Sequence, residues 1–332
     1  MPAIFTLTFN PCIDVNTYVE ALRPEVKLRC AEPLVQPGGG GINVARAIVQ
    51  LGGRATALFP CGGDTGRRLQ GLLSAEKVSF IPVGIAGNTR ENIIVTERST
   101  GNQYKLNMPG AELDTTACNA LLSALGSQPQ LDYVVVSGSL APGVSPGIYQ
   151  DIKRIVQSKK AMLVVDTSGE ALKSAVACGP DLVKLSVHEL ASLMDAEEFP
   201  SITDTGGLSS LAEIEAAAHC LSKAGVRTVV VSLGARGAFW MSGGQEGRIH
   251  APVVKTVSTV GAGDSMVAGI VLSLSMGRPM SEAVEYGIAC GSAATMHPGT
   301  TLCNKEDVER IMLQIKEKTN GNEKDIDHRG RA

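Results

Sequence analysis

The segment Ser258-Thr259-Val260-Gly261-Ala262-Gly263-Asp264-Ser265 runs directly into Met266-Val267-Ala268-Gly269-Ile270, a helical pattern. Glycines just ahead of a helix let backbone N–H groups face an anion, and the helix dipole adds roughly half a positive charge at that end. An aspartate there has two roles open to it. It caps the helix, the ordinary use of a lone Asp at a helix start, or it is a general base that takes a proton from a substrate hydroxyl while adjacent amides stabilise a migrating phosphoryl group. Alone, G-x-G-D favours the cap. A second cluster is Pro37-Gly38-Gly39-Gly40-Gly41-Ile42-Asn43-Val44-Ala45-Arg46. Its bland reading is a flexible linker, yet linkers do not run straight into an amphipathic helix. Bare backbone there approaches a ligand closely, and Asn43 offers both donors and an acceptor, as a sugar hydroxyl requires. A dinucleotide fingerprint fits badly, because Asn43 stands where the third glycine of G-x-G-x-x-G falls when counted from Gly38. No Gly-Lys dipeptide occurs, which excludes a Walker A loop.

These residues need a frame. Short aliphatic runs at Ala3 to Phe9, Arg54 to Phe59, Tyr133 to Ser137, Met162 to Asp166, Leu182 to Leu185 and Thr228 to Leu233 read as strands. Helical periodicity lies between them; over Asn43 to Leu51, for example, Val44, Ala45, Ala47, Ile48 and Leu51 share one face. Strands alternating with helices predict an α/β fold with a parallel sheet, and ligands of such sheets bind beyond the strands' carboxyl ends. Those positions are rich in Gly, Ser and Asp: Asn10 to Asp14, Ser137 to Ser139, Asp166, and Gly234 to Gly237. Two segments, Asp14 to Gln36 and Asn88 to Met108, are polar and partly alternating, and are read as a small antiparallel lid or clasp. Thr319 to Ala332 is too poor in apolar groups to offset its ordering entropy and is read as a disordered tail.

Composition removes several classes. A net charge of -3 over 332 residues gives no basic footprint for nucleic acid. No apolar run approaches the roughly 20 residues of a membrane helix, and the amino terminus has neither a basic start nor a small-residue cleavage site, so a cytoplasmic protein is expected. Eight cysteines without a C-x-x-C pair are read as free thiols. Only 12 aromatics (1 Trp, 5 Tyr and 6 Phe) sit beside 37 Gly, so the core must be aliphatic.

GGGGINVAR near the amino terminus and TVGAGDSM about 220 residues later resemble the two signatures of the PfkB-type sugar kinases of the ribokinase superfamily. KLRC at Lys27 to Cys30, SGSLAPG at Ser137 to Gly143, VVDTSGEAL at Val164 to Leu172, VVSLGARGA at Val230 to Ala238 and GSAAT at Gly291 to Thr295 look most like the PfkB-type 6-phosphofructokinases. The resemblance spans about residues 3 to 313. It implies a Rossmann-like α/β/α sandwich with a small β-sheet lid, one kinase domain over 1–318 with lid segments about 14–36 and 88–108, and a homodimer formed through the lid.

The resemblance also implies roles. Asp264 matches the catalytic base, and Gly261, Ala262 and Gly263 the anion hole. Asp14, Gly39, Asn43 and Ser139 match positions that bind sugar hydroxyls; Arg90 and Asn92 match positions near the sugar and its phosphate, and Lys105 stands where close relatives carry Arg. Lys184, Ser186, Ser232, Gly234, Gly237 and Ser292 match the ATP site, and Lys27 contacts a phosphate of the sugar, the donor or a second nucleotide. Glu189 matches the acidic residue of N-x-x-E, acting on Mg2+ through water, but the family's Asn is Ser186 here. Carbonyls around Ser258, Val260, Ala294, His297 and Gly299 match a monovalent-cation loop suited to K+. The implied reaction moves the γ-phosphoryl group of ATP to the C1 hydroxyl of fructose 6-phosphate. A tagatose-6-phosphate or 1-phosphofructokinase is the alternative within the class, and a catalytically weak nucleotide-binding regulator the alternative outside it; no nucleic acid or membrane partner is expected.

Overall fold

Consecutive valines at 134–136 and 229–231 mark strands covered on both faces, because neighbouring side chains of a strand point to opposite sides. In the computed structural model, which describes residues 2–194 and 210–315, Val135 and Val230 enter one apolar layer. Val134 and Val136 enter the layer on the other side, as do Val229 and Val231 farther along the sheet.

The strands are β1 (Ile4–Leu7), β2 (Cys12–Val19), β3 (Leu34–Gly38), β4 (Thr56–Cys61), β5 (Ser79–Gly84), β6 (Arg90–Glu97), β7 (Gln103–Leu106), β8 (Tyr133–Ser137), β9 (Met162–Asp166), β10 (Leu182–Ser186), β11 (Thr228–Ser232), β12 (Ala238–Ser242) and β13 (Gln245–Ile249). Between them run α1 (Gly40–Gln50), α2 (Gly63–Ala75), α3 (Thr115–Gly126), α4 (Ile148–Ser158), α5 (Gly169–Ala177), α6 (Val187–Ser192), α7 (Leu211–Lys223), α8 (Ala262–Ser275) and α9 (Met280–Thr295). The main sheet has the order β13-β12-β11-β10-β9-β8-β1-β4-β5. It is parallel from β5 to β11. Helices α1, α2, α8 and α9 cover one face, and α3 to α7 the other. This is the expected α/β/α sandwich. The order reverses at β1, whose neighbours are β4 and β8, and a crevice opens at such a reversal beyond the strands' carboxyl ends.

The hairpin of β12 and β13 closes one edge antiparallel. It is not among the strands read from sequence, although Ser242-Gly243-Gly244 between two short strands is a hairpin signal. The two polar segments do pair with each other, in a second sheet of order β3-β2-β6-β7. That sheet is mixed and not antiparallel throughout, because β2 and β6 run parallel. The chain leaves β3, builds α1 through β5 in the main body, and returns beside β2 on β6; only a long crossover of that kind makes a parallel pair. The tail Thr319 to Ala332 lies outside the described residues. Among the described residues no helix is long and apolar enough to cross a membrane.

Candidate active site

Helix α8 begins at Gly261, its N-cap, with φ +76°. A side chain there would be strained by the left-handed backbone, and its Cβ would lie 2.8 Å from Leu302 Cδ2. Asp264, in the first turn, caps nothing: the α8 N-terminus has no side-chain cap. Its Oδ2 accepts from Asn43 Nδ2 at 2.9 Å, and Ser137 Oγ lies 3.5 Å from Oδ1. The two glycine clusters, far apart in the chain, therefore meet through Asn43 and Asp264. Burial, then the neighbouring Asp166 carboxylate, push the Asp264 carboxyl up to about 6, against the lowering pull of Asn43 and Lys184.

Asn43 is itself held. Arg46, one turn along α1 and fully buried, donates from Nη1 to Asn43 Oδ1 at 3.1 Å and to Pro37 O at 2.9 Å. Its other nitrogens pair with both Glu76 oxygens at 2.7 and 2.8 Å. With Oδ1 taken by a guanidinium, the Asn43 amide can present only its N–H to Asp264. Neither Arg46 nor Glu76 was singled out from sequence, and no local pattern joins them.

A cavity of about 260 Å³ opens beside Asp264, lined by Ser137, Ser139, Asp166, Lys184 and Glu189 among others. Lys184 Nζ donates to Asp166 Oδ1 at 3.2 Å. Burial alone would lower the Lys184 ammonium, but Asp166 and Glu189 outweigh it and hold the group above its ordinary value. A Cβ on Gly263 would sit 2.9 Å from Lys184 Nζ, so a side chain there pushes the ammonium off its present position over the helix start. Asp166 was visible in the sequence as an acid after a central strand, yet no role was assigned to it there.

A larger cavity of about 440 Å³ adjoins this one at Gly263. Ser232, Gly234, Gly237 and Ser292 line it, as expected for one site, together with Val253, Val254, Met266 and Ile288. Ser186 lines neither of these two cavities. Its Oγ accepts from Glu189 N at 3.2 Å, while Glu189 Oε2 accepts from Ser186 N at 2.6 Å. The pair is the capping box of α6, a use that the S-x-x-E spacing announces. Glu189 still reaches the smaller cavity.

The second sheet gathers the remaining candidates, and none of its residues lines either cavity. The register places Cys12 opposite Arg90, and Asp14 opposite Asn92 and Gln36. Asn92 Nδ2 donates to Asp14 Oδ1 at 3.1 Å, and the Cys12 thiol donates to the same oxygen at 3.3 Å. Burial, with Asp14 beside it, raises the Cys12 thiol, which therefore stays protonated. A Cβ on Gly38 would stand 2.5 Å from Asp14 Oδ2, and Gly39 is the N-cap of α1 at φ +109°. Arg90 spends Nη1 on Met108 O at 2.9 Å and Nη2 on Asn10 O at 3.1 Å, leaving its buried Nε without a partner among the described residues. Ser139 Oγ accepts from Asn10 Nδ2 at 3.2 Å. Lys27 and Lys105 are exposed.

The two carboxyl-terminal segments named for a cation loop also meet. Ser258 Oγ donates to Gly299 O at 3.3 Å and accepts from Val260 N at 3.2 Å, and His297 N donates to Ala294 O at 3.3 Å. Among the described residues no three His, Cys, Asp or Glu side chains gather as a ready metal cage. The oxygens of Asp166 and Glu189 on the smaller cavity nevertheless suit Mg2+, which binds through one or two carboxylates plus substrate phosphates and keeps several waters.

Two cavities that meet at Gly263, with the Asp264 carboxylate on the smaller one, set an acid beside a helix start that favours an anion. Known proteins resemble this chain over nearly its whole length. The ATP-dependent 6-phosphofructokinase isozyme 2 of Mycobacterium tuberculosis is 40% identical over 319 residues, covering 96% of this chain and 91% of the relative. The Escherichia coli protein of that name is 40% identical over 317 residues, covering 95% and 99%. The crystal structure of phosphofructokinase-2 from Escherichia coli in complex with potassium superposes with a TM-score of 0.88 at 39% identity, covering 95% of this chain and all of that one. The model of the pfkB family carbohydrate kinases matches residues 8–307, and it takes in Asp14, Asn43, Asp166 and Asp264 alike: this chain belongs to that family.

Proposed function

We propose that the protein transfers the γ-phosphoryl group of ATP to the C1 hydroxyl of fructose 6-phosphate, giving fructose 1,6-bisphosphate. The observation that carries this reading is Asp264, bound to Asn43 and not to its own helix, next to Gly263, which both cavities share. A carboxyl held near 6 is ionised at neutral pH yet basic enough to accept a hydroxyl proton in the transition state. The amides of Gly261, Ala262 and Gly263 face the transferring group, where they gain from the helix dipole.

The larger cavity takes the nucleotide, with adenine against Val253, Val254, Met266 and Ile288 and the phosphates running past Gly263 toward Lys184. Asp14, Gly39, Asn43, Asn92 and Ser139 hold sugar hydroxyls. Arg90 meets the sugar phosphate with its unspent Nε, and Lys105 and Lys27 add charge from exposed positions. Mg2+ brought in with ATP neutralises phosphate charge, held through water by Glu189 and Asp166. The carbonyls around Ser258, Val260, Ala294, His297 and Gly299 hold K+; the potassium complex of the Escherichia coli relative supports this reading. The second sheet acts as a lid that excludes water from the reacting phosphate. Ile93, Tyr104 and Leu106 stand on the sheet face opposite Asp14 and are 36%, 41% and 49% exposed, an apolar surface fit for a second copy in a homodimer.

The test is ADP release by the purified protein with Mg-ATP and, in turn, fructose 6-phosphate, tagatose 6-phosphate, fructose 1-phosphate, fructose and adenosine. Fructose 6-phosphate is expected to give the highest kcat/KM. Preference for fructose 1-phosphate or tagatose 6-phosphate reassigns the substrate, and no turnover with any phosphosugar refutes the kinase reading.

A further inference from the structure

We infer that Gln36 is a positioning residue that ties the sugar-side sheet to the catalytic helix through Thr300, and that this tie carries the coupling between sugar-phosphate and nucleotide binding; the inference rests on the kinase reading above. Gln36 lies directly across β3 and β2 from Asp14, so the two side chains share a face. Gln36 Oε1 accepts from Thr300 N at 3.2 Å and from Thr300 Oγ1 at 3.0 Å, and its Nε2 donates to Thr301 Oγ1 at 3.4 Å. Thr300 is buried, 1% exposed, so water does not compete for these bonds. A second contact lies beside the first. Asn16, 6% exposed and with neither amide atom partnered, packs on Gly299, where a Cβ would stand 3.0 Å from its Cγ.

From that loop the contacts run straight to α8. Gly299 O accepts from Ser258 Oγ, and Ser258 Oγ accepts from Val260 N, the residue before the Gly261 N-cap. On the other side, Leu302 packs against Gly261, and Cys303 N donates to Ser265 Oγ at 3.3 Å. The loop 299–303 thus holds both flanks of Asp264 while Gln36 holds the loop. A sugar phosphate that fixes Asp14 also fixes its cross-strand neighbour, and so favours one arrangement of the amides that receive the nucleotide's phosphates. Linkage makes the effect reciprocal: whatever the sugar does to nucleotide affinity, the nucleotide does to sugar affinity.

The experiment measures the Kd of a non-hydrolysable ATP analogue with magnesium, by titration calorimetry, with and without saturating fructose 6-phosphate. It uses the full chain, the single variants Gln36→Leu, Thr300→Val and Thr300→Ser, and a double variant combining Gln36→Leu with Thr300→Val. In the unsubstituted protein the sugar is expected to change nucleotide affinity severalfold. Gln36→Leu brings that ratio close to one and raises the fructose 6-phosphate KM about three- to tenfold, the worth of one or two buried hydrogen bonds, while nucleotide Kd without sugar stays within about twofold. Thr300→Val moves the same way, Thr300→Ser restores the ratio, and the double variant is no worse than Gln36→Leu. An unchanged ratio in Gln36→Leu, losses that multiply in the double variant, or equal loss of nucleotide affinity without sugar overturns the inference. Failure of the unsubstituted protein to phosphorylate fructose 6-phosphate refutes the kinase reading instead, so the two failures are told apart.

Discussion

Replacing Asp264 by Asn separates the base from everything else the residue does. The amide oxygen that Asp264→Asn introduces still accepts from Asn43 Nδ2, so the junction of the two glycine clusters keeps its shape. What disappears is the group that takes the hydroxyl proton, a loss of roughly 100-fold to 10,000-fold in kcat. The Kd of the magnesium-bound nucleotide is expected to hold, because the larger cavity is lined by Ala262 and Gly263 but not by residue 264. Stability moves the opposite way. A free aspartate titrates near about 3.9, whereas this one is pushed up to about 6 by burial and by Asp166. The folded protein therefore binds that proton more tightly than the unfolded chain. Stability from this group is greatest below about pH 4, falls as pH rises through 6, and by neutral pH the ionised group costs up to about 3 kcal/mol. The neutral amide removes that cost, so Asp264→Asn should melt several degrees higher at pH 7.5, roughly 5 °C, and show no such gain near pH 4. In the unsubstituted enzyme kcat/KM should rise with pH through about 6 and then level. Stopped-flow turnover, calorimetric Kd and melting curves at two pH values supply the readouts. Near-normal turnover in Asp264→Asn would refute the base assignment, and a lower Tm at pH 7.5 would refute the electrostatic reasoning.

Gly263→Ala drives a methyl against Lys184 Nζ, and displacing that lysine should lower kcat roughly 10- to 100-fold with ADP release as the readout. Glu76→Ala strands the buried Arg46 guanidinium; with Glu76 partly exposed the cost should be roughly 2–3 kcal/mol in urea unfolding, accompanied by lower turnover because Asn43 loses its orientation. Ser186→Ala removes the α6 cap at about 1 kcal/mol, whereas Ser186→Asn keeps the cap and should shift the magnesium titration of activity to lower concentration; an unchanged curve shows that the position does not handle metal. Glu189→Gln should tighten magnesium-free ATP binding while raising the magnesium needed for turnover, and movement of both readouts in one direction would refute a metal-facing role.

The sandwich was legible because its determinants are local. Three valines in a row can bury all their side chains only in a strand covered on both sides, and the strand ends then mark where ligands must lie. Asp264 and Asn43 were legible for the same reason, since each follows a glycine cluster at a helix start. What escaped the sequence depends on pairings that no short segment encodes. Arg46 and Glu76 meet across a helix and a loop, Gln36 and Thr300 are 264 residues apart, and β6 joins β2 in parallel only because the main body lies between them. Ser186 and Glu189 are the converse case: their three-residue spacing carries two meanings, a capping box and a metal motif, and the structure shows the first satisfied while the acid still reaches the cavity.

The charge balance of that cavity constrains how a nucleotide is received. Asp166, Glu189 and Asp264 line it, with Lys184 as the cation among its lining residues. Lys184 is already engaged by Asp166, so it cannot offset a triphosphate by itself. Phosphates entering a wall of three carboxylates meet repulsion that a divalent cation travelling with them offsets, so the affinity for ATP should rise with magnesium. Burial first, and then Asp166 among these acids, raises Asp264. Asp166, which repels bare ATP, therefore also helps to hold the base at a strength suited to a sugar hydroxyl.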